Sequence, residues 1–207
     1  MSARLSRLAR FKDSSAQAQP EEAEAPLLPH SSHRGQEVLA IDQSIASTGW
    51  AIVMGASEDP VWRVVRTGMV QTRPTKARGF SDTYARTAVA YKGILDMLLQ
   101  HEPAWVVHEM PPVGYGMRRP DSSLLMAQVV RCAVLAMEDP LAVRMLSANR
   151  VKARLTGDAN AEKPQVREAV NALIPTLPDG QVKPLNHDVY DAIALGIVAI
   201  SESSEVA

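Results

Sequence analysis

Two short apolar runs, each closing on a carboxylate, limit what this chain can fold into: Val38-Leu39-Ala40-Ile41-Asp42 and Trp105-Val106-Val107-His108-Glu109. Runs this short, rich in β-branched and aromatic residues, read as strands buried on both faces. A carboxylate at the inner end of such a strand is costly unless it is paired, hydrogen-bonded or bound to a metal. After Asp42 a few small polar residues lead to Gly49 and a second apolar run, Trp50-Ala51-Ile52-Val53. That pattern implies a hairpin closed by a short Ser/Thr/Gly turn.

The rest of the chain alternates. Residues 61–72, "VWRVVRTGMVQT", extend the meander as a third strand. From Lys76 to Gln100 the period becomes helical, with Tyr84, Ala88, Tyr91, Ile94, Leu95 and Leu98 spaced by three and four. After strand four (104–109) and a Pro/Gly loop, Asp121 or Ser122 caps a helix running to about Met137, with Leu125, Val129, Cys132, Ala133 and Ala136 as its apolar stripe. A short strand at 142–146, a helix from Ser147 through Arg154, another from Lys163 to Leu173, and a last one from near Asn186 complete the order. Three strands in a meander, followed by strands alternating with helices, predict an α/β fold. Its five-stranded mixed sheet has three antiparallel strands, then two parallel ones, with helices on both faces.

A chain of 207 residues suffices for one domain with a sizeable core, here expected over residues 37–201 with a flexible end at 202–207. Residues 1–36 are rich in Ala, Pro, Glu and Ser and are expected to be a disordered tail. Arg4, Arg7 and Arg10 interleaved with Leu5, Leu8 and Phe11 weakly resemble a mitochondrial transit peptide; a basic tail on a cytoplasmic bacterial or viral protein is the reading preferred. A net charge of -1 excludes a strongly basic tail as the source of function, though not a local nucleic-acid patch. The lone Cys132 suits a reducing compartment and reads as a small buried hydrophobe. No apolar stretch is long enough to span a bilayer.

Two further acids, Asp188 and Asp191, open the last helix at i, i+3 spacing and so share one face. Each acid has a plain alternative: Asp42 as a turn former, Glu109 as a strand end leaving for solvent, Asp188 as a favourable charge at a helix N-terminus. Asp191 is harder to set aside, because "DAIALGIVAI" is otherwise apolar. If strands one and four are neighbours and the last helix crosses them, all four acids converge and repel one another unless a cation sits among them. Hard oxygen donors suit Mg2+ or Mn2+, and two such ions roughly 3.5 to 4 Å apart can activate a water and stabilise the leaving oxygen of a phosphodiester.

Over residues 37–200 the chain resembles the RuvC family of Holliday junction resolvases, in the RNase H-like superfamily. "LAIDQSIASTGWAIV" is similar to the family's first strand and hairpin, with Asp42 as the first acid and Thr48-Gly49 as its Thr-Gly. "WVVHEMP" resembles the strand bearing the second acid, Glu109, and "DVYDAIALGIVA" the closing motif with Asp188 and Asp191. "DSSLLMAQVVRCAVLAM" resembles the helix that pairs in the family's homodimer, and "NRVKARLTGDANAEKPQVREAV" the segment with its lysines, here Lys152 and Lys163. The resemblance implies symmetric, paired nicking of four-way DNA by a dimer. Asp42, Glu109, Asp188 and Asp191 would bind two divalent ions, with Lys163 near the scissile phosphate and Lys152 on DNA.

One departure stands out. Family members often carry an aromatic shortly after the second acid; "EMPPVGYGMRRP" puts Pro112 at that distance, with Tyr115 further on. Tyr115 is either a relocated stacking residue or an ordinary loop tyrosine. Arg118 and Arg119 are either phosphate contacts or surface charge, and His187 is either a neighbour supporting Asp188 or a surface residue. Alternatives to the resolvase reading are a general debranching nuclease, a sugar-kinase or actin-like phosphotransferase and an inactive DNA-binding relative. The kinase reading rests on "AIDQSIASTG" as a phosphate loop but lacks a second one.

Overall fold

The computed structural model describes residues 37–55, 62–76, 79–111, 122–174 and 185–204. The expected tail, Asp121, and the loop positions Tyr115, Arg118 and Arg119 lie outside them. In chain order the elements are β1 (Glu37–Asp42), β2 (Ser47–Gly55), β3 (Trp62–Gln71), α1 (Phe80–His101), β4 (Trp105–Glu109), α2 (Ser122–Leu135), β5 (Ala142–Leu146), α3 (Ala148–Thr156), α4 (Lys163–Leu173) and α5 (His187–Ser204). The sheet order is β3-β2-β1-β4-β5. β1–β2 and β2–β3 are antiparallel; β1–β4 and β4–β5 are parallel. This is the mixed sheet expected from the sequence.

Strand alternation divides the core into two layers. Val38, Ala40, Ala51, Val53, Trp105 and Val107 face a layer that includes α4 and α5 side chains. Leu39, Ile41, Ile52 and Val106 face α1 and α2. The same period places Asp42 and Glu109 on the α5 side and His108 on the other, so the two acids end adjacent parallel strands on one face.

Hydrogen bonds explain where the helices begin. Ser147 accepts from the Arg150 amide at 3.3 Å, and Asn186 accepts from the Asp188 amide at 2.9 Å, each satisfying an otherwise unpaired first-turn donor. Gln165 accepts from the Glu162 backbone at 2.7 Å before α4, which carries Pro164 in its first turn.

The structure departs from the sequence reading at four places. β2 begins at Ser47 because the turn is confined to residues 43–46, where Ser44 Oγ donates to the Ser47 carbonyl at 2.7 Å. Thr48 and Gly49 are therefore strand residues. On α1, Ile94 and Leu98 are buried, but Tyr84 and Ala88 are exposed, because the buried face runs through Thr87, Ala90, Ile94, Met97 and Leu98. On α2 the buried stripe is Met126, Val129, Val130, Ala133 and Val134, while Leu125 and Ala136 face outward. Cys132 is exposed with them rather than buried. Finally, α5 runs through Ser204, past the expected boundary at Ser201. Glu202 is only 5% exposed, and Arg144 and Arg150 each meet it at 2.7 Å, tying β5 and α3 to the end of α5.

Candidate active site

The carboxyl ends of β1 and β4 meet the first turn of α5. Ile41 pairs with His108 in the parallel ladder, so Asp42 and Glu109 follow side by side. Asp42, Glu109, Asp188, Asp191, Lys152 and Lys163 all line one cavity of about 390 Å3, with Gln43 and Ser44 at its edge. The cavity thus joins acids from three distant parts of the chain with one lysine each from α3 and α4. His187 is exposed and points to no role there.

Electrostatics in this cavity are unbalanced. Burial first, then Glu109, Asp191 and Asp188, push the Asp42 carboxyl from 3.8 up to about 8. A hydrogen bond from Asp42 to Glu109 contributes to that rise. Lys163 Nζ lies 3.3 Å from Asp191. Its burial disfavours the ammonium, but Asp191, with Asp188 and Asp42, outweighs that and raises its pKa above the ordinary lysine value. The acids therefore pair off, Asp42 with Glu109 and Asp191 with Lys163. Among the described residues no three His, Cys, Asp or Glu groups stand at metal-ligand spacing.

Even so, the donor set fits a hard divalent cation. Four carboxylates face one cavity, and the lysine that offsets them is 58% exposed at its side chain. The high Asp42 pKa comes from burial first and the neighbouring acids second, both of which a bound cation would offset.

Two backbone-level features hold the acids in place, and neither is evident from residue type. Gln43 is 5% exposed and uses its side-chain amide as a substitute for strand pairing. Its Nε2 donates to the Glu109 carbonyl at 2.5 Å, and its Oε1 accepts from the Glu109 amide at 3.1 Å. His108, fully buried behind the strand, also meets the Glu109 carbonyl through Nδ1 at 3.0 Å. Burial above all, with the Arg131 charge adding to it, pushes His108 down to about 4, although its hydrogen bond to Glu109 opposes the shift. The ring is neutral near pH 7, so Nδ1 is the donor in that contact. The second feature is Gly49, opposite Asp42 in the β1–β2 ladder and directly beneath the start of α5.

A five-stranded sheet in this order, carrying its acids at the ends of β1 and β4 and on the helix that crosses them, defines an RNase H-like protein with a candidate nuclease site. The family model for crossover junction endodeoxyribonuclease RuvC matches residues 38–199, and the chain belongs to that family. It is 31% identical over 163 residues to the crossover junction endodeoxyribonuclease RuvC of Hahella chejuensis, covering 78% of this chain and 85% of that one. With the Beijerinckia indica RuvC it shares 30% over 164 residues, 77% of this chain and 83% of the other. Thermus thermophilus RuvC superposes with a TM-score of 0.65 at 20% identity, over 82% of this chain and 96% of that one. The yeast mitochondrial Holliday junction resolvase Ydc2 superposes with a TM-score of 0.58 at 12% identity, over 86% and 82%. These two structural likenesses carry the fold. The family match sets aside the kinase-like alternative.

Proposed function

We propose that this chain resolves four-way DNA junctions by metal-dependent hydrolysis, with Asp42, Glu109, Asp188 and Asp191 as the ligands of two Mg2+ or Mn2+ ions. The convergence of four carboxylates from β1, β4 and α5 on one cavity carries the reading. Such ions, when bound, supply the Lewis acidity that ionises a water and stabilises the leaving oxygen. The chain's own groups do the rest. Asp42 and Glu109, fixed at strand ends, set the orientation of the site against the scissile phosphate. Lys163, at the cavity mouth, offsets charge developing on that phosphate once Asp191 is engaged elsewhere. Lys152, in the same cavity wall, contacts the DNA backbone. Tyr115, Arg118 and Arg119, in the sequence that follows Glu109, are proposed as further DNA contacts.

Branched DNA is the proposed partner, and a T. thermophilus RuvC solved in complex with Holliday junction substrate superposes on this chain with a TM-score of 0.63 at 21% identity. Paired nicks require two sites. The outward face of α2, with Leu124, Leu125, Cys132 and Leu135 exposed, is the proposed homodimer surface. We place the protein in the cytoplasm; its curated relatives are bacterial, and no described helix is long and apolar enough to cross a membrane.

The substrate test is incubation of purified protein and Mg2+ or Mn2+ with mobile four-way, Y-shaped and linear DNA. Paired, ligatable nicks in the four-way substrate alone support resolution. Nicks in every branched form replace it with general debranching, and no metal-dependent nicking overturns the nuclease reading.

A further inference from the structure

We infer that the first turns of α1 carry a second DNA contact, in which Phe80 and Tyr84 stack on unpaired bases at a branch point while Arg73 and Lys76 hold the adjoining phosphates; this rests on the nuclease reading above. Phe80 is 84% exposed and Tyr84 67% exposed, at i, i+4 on the same side of the helix. Neither contributes to the core. Two large aromatics held in water beside two exposed basic residues, Arg73 and Lys76, are chemically matched to a base and its phosphate.

Position supports that occupant. Segment 72–76 and Arg86 are fastened to the loop that borders the acid cavity. The Thr72 amide donates to the Ala46 carbonyl at 3.0 Å, and the Thr72 hydroxyl donates to the Ile45 carbonyl. Arg86 donates to the same Ile45 carbonyl at 3.2 Å and to Thr72 Oγ1 at 2.9 Å. Asp82 then secures the segment from the helix side, accepting from the Thr75 amide at 2.5 Å and pairing with Arg86 at 3.6 Å. Arg86 is thus occupied structurally, whereas Arg73 and Lys76 project into solvent.

Ile45 lies three residues beyond Asp42, at most about 11 Å of chain. α1 follows β3 at the sheet end that also carries Asp42 and Glu109, packing on the opposite face of the sheet from them. A DNA arm leaving the acids meets the patch by rounding that sheet end.

The test uses the full chain and a four-way junction carrying 2-aminopurine at its branch point, in Ca2+ buffer, beside a linear duplex. The parent protein is expected to change the 2-aminopurine fluorescence on binding. Phe80→Ser with Tyr84→Ser abolishes that change and weakens junction binding at least tenfold, with duplex binding altered less than twofold. Phe80→Trp with Tyr84→Trp keeps both signals. Arg73→Gln with Lys76→Gln lowers the salt dependence of junction binding. Unchanged fluorescence and affinity in the serine variant, in a parent background that binds and cuts junctions, overturns this inference alone. So does conversion of a dimer to a monomer by the serine pair, which makes the patch a contact between copies. A parent protein that neither binds nor cuts the junction overturns the nuclease reading beneath it.

Discussion

A Cβ placed on Gly49 falls 2.2 Å from the Asp188 carbonyl oxygen and 2.3 Å from its carbon. Both atoms are backbone, so nothing there yields by rotating a side chain. Glycine at 49 therefore sets how closely the first turn of α5, with Asp188 in it and Asp191 one turn on, approaches the strand beside Asp42. The expected result of Gly49→Ala is a loss of junction cleavage of about a hundredfold, because displacements near 1 Å misplace reacting groups. Gly157 supplies the control: it has φ +79 and nothing within 4 Å of an added Cβ. Gly157→Ala is expected to cost roughly 1 to 2 kcal/mol through left-handed strain while cleavage per folded molecule stays at the parental rate. Single-turnover cleavage and melting curves on both variants separate displacement from instability; equal activity in the two contradicts the positioning role.

Gln43 makes a comparable prediction for Glu109. Its amide meets both backbone polar groups of that residue in a nearly sealed position. Gln43→Leu leaves the partly buried Glu109 amide without this partner, costing about 1 kcal/mol. Cleavage should fall roughly tenfold as the Glu109 carboxylate loosens. Hydrogen exchange at the Glu109 amide reads the same bond directly, and unchanged protection there would remove the argument.

The uncompensated charge has a sign that can be tested without any substrate. Asp42 holds its proton up to about 8 when folded, against 3.8 ordinarily. Between those values the folded state binds more protons than the unfolded state, so its stability falls as pH rises through that window. Chelated parent protein should melt progressively lower from pH about 5 to about 8. Asp42→Asn should flatten that slope and melt several degrees higher at the upper end, by roughly 1 to 2 kcal/mol. Added Mg2+ should restore stability to the parent and do far less for the variant. Identical slopes in calorimetry would show that Asp42 does not carry the charge imbalance.

The outward face of α2 predicts assembly. Leu135 is 71% exposed, so Leu125→Asp with Leu135→Asp should leave the fold intact. In sedimentation the parent is expected as a dimer and the double variant as a monomer whose nicks at the two opposing strands are no longer coupled. A parent that sediments as a monomer at micromolar concentration, while still making paired nicks, would exclude this face.

Periodicity and run length made most of this architecture legible. The two acid-terminated strands are β1 and β4, and the helix expected from Lys163 to Leu173 is α4 with those ends. What the sequence left hidden was set by tertiary geometry. Gln43 looks like an ordinary turn residue until β4 is known to lie beside β1. Gly49 carries a signal only as a Thr-Gly pair, and its reason is a helix start at Asp188, far along the chain. The stripes on α1 and α2 differ from the expected ones because apolar residues there continue around onto faces that the described residues leave exposed: Tyr84, Leu125 and Cys132 obey helical spacing but lie outside the core. Their period reports a face to be covered, without saying whether the cover is intramolecular.

The most direct measurement is cleavage of a synthetic four-way junction by Asp42→Asn, with junction binding recorded in the same samples. This substitution keeps the volume of the side chain while removing one charged ligand from the cavity. The expected outcome is binding within a few fold of the parental protein, with Mg2+-dependent nicking reduced by three orders of magnitude or more, on the order of what a disabled catalytic constellation loses. Nicking at the parental rate would contradict the assignment of these four carboxylates as the centre of catalysis.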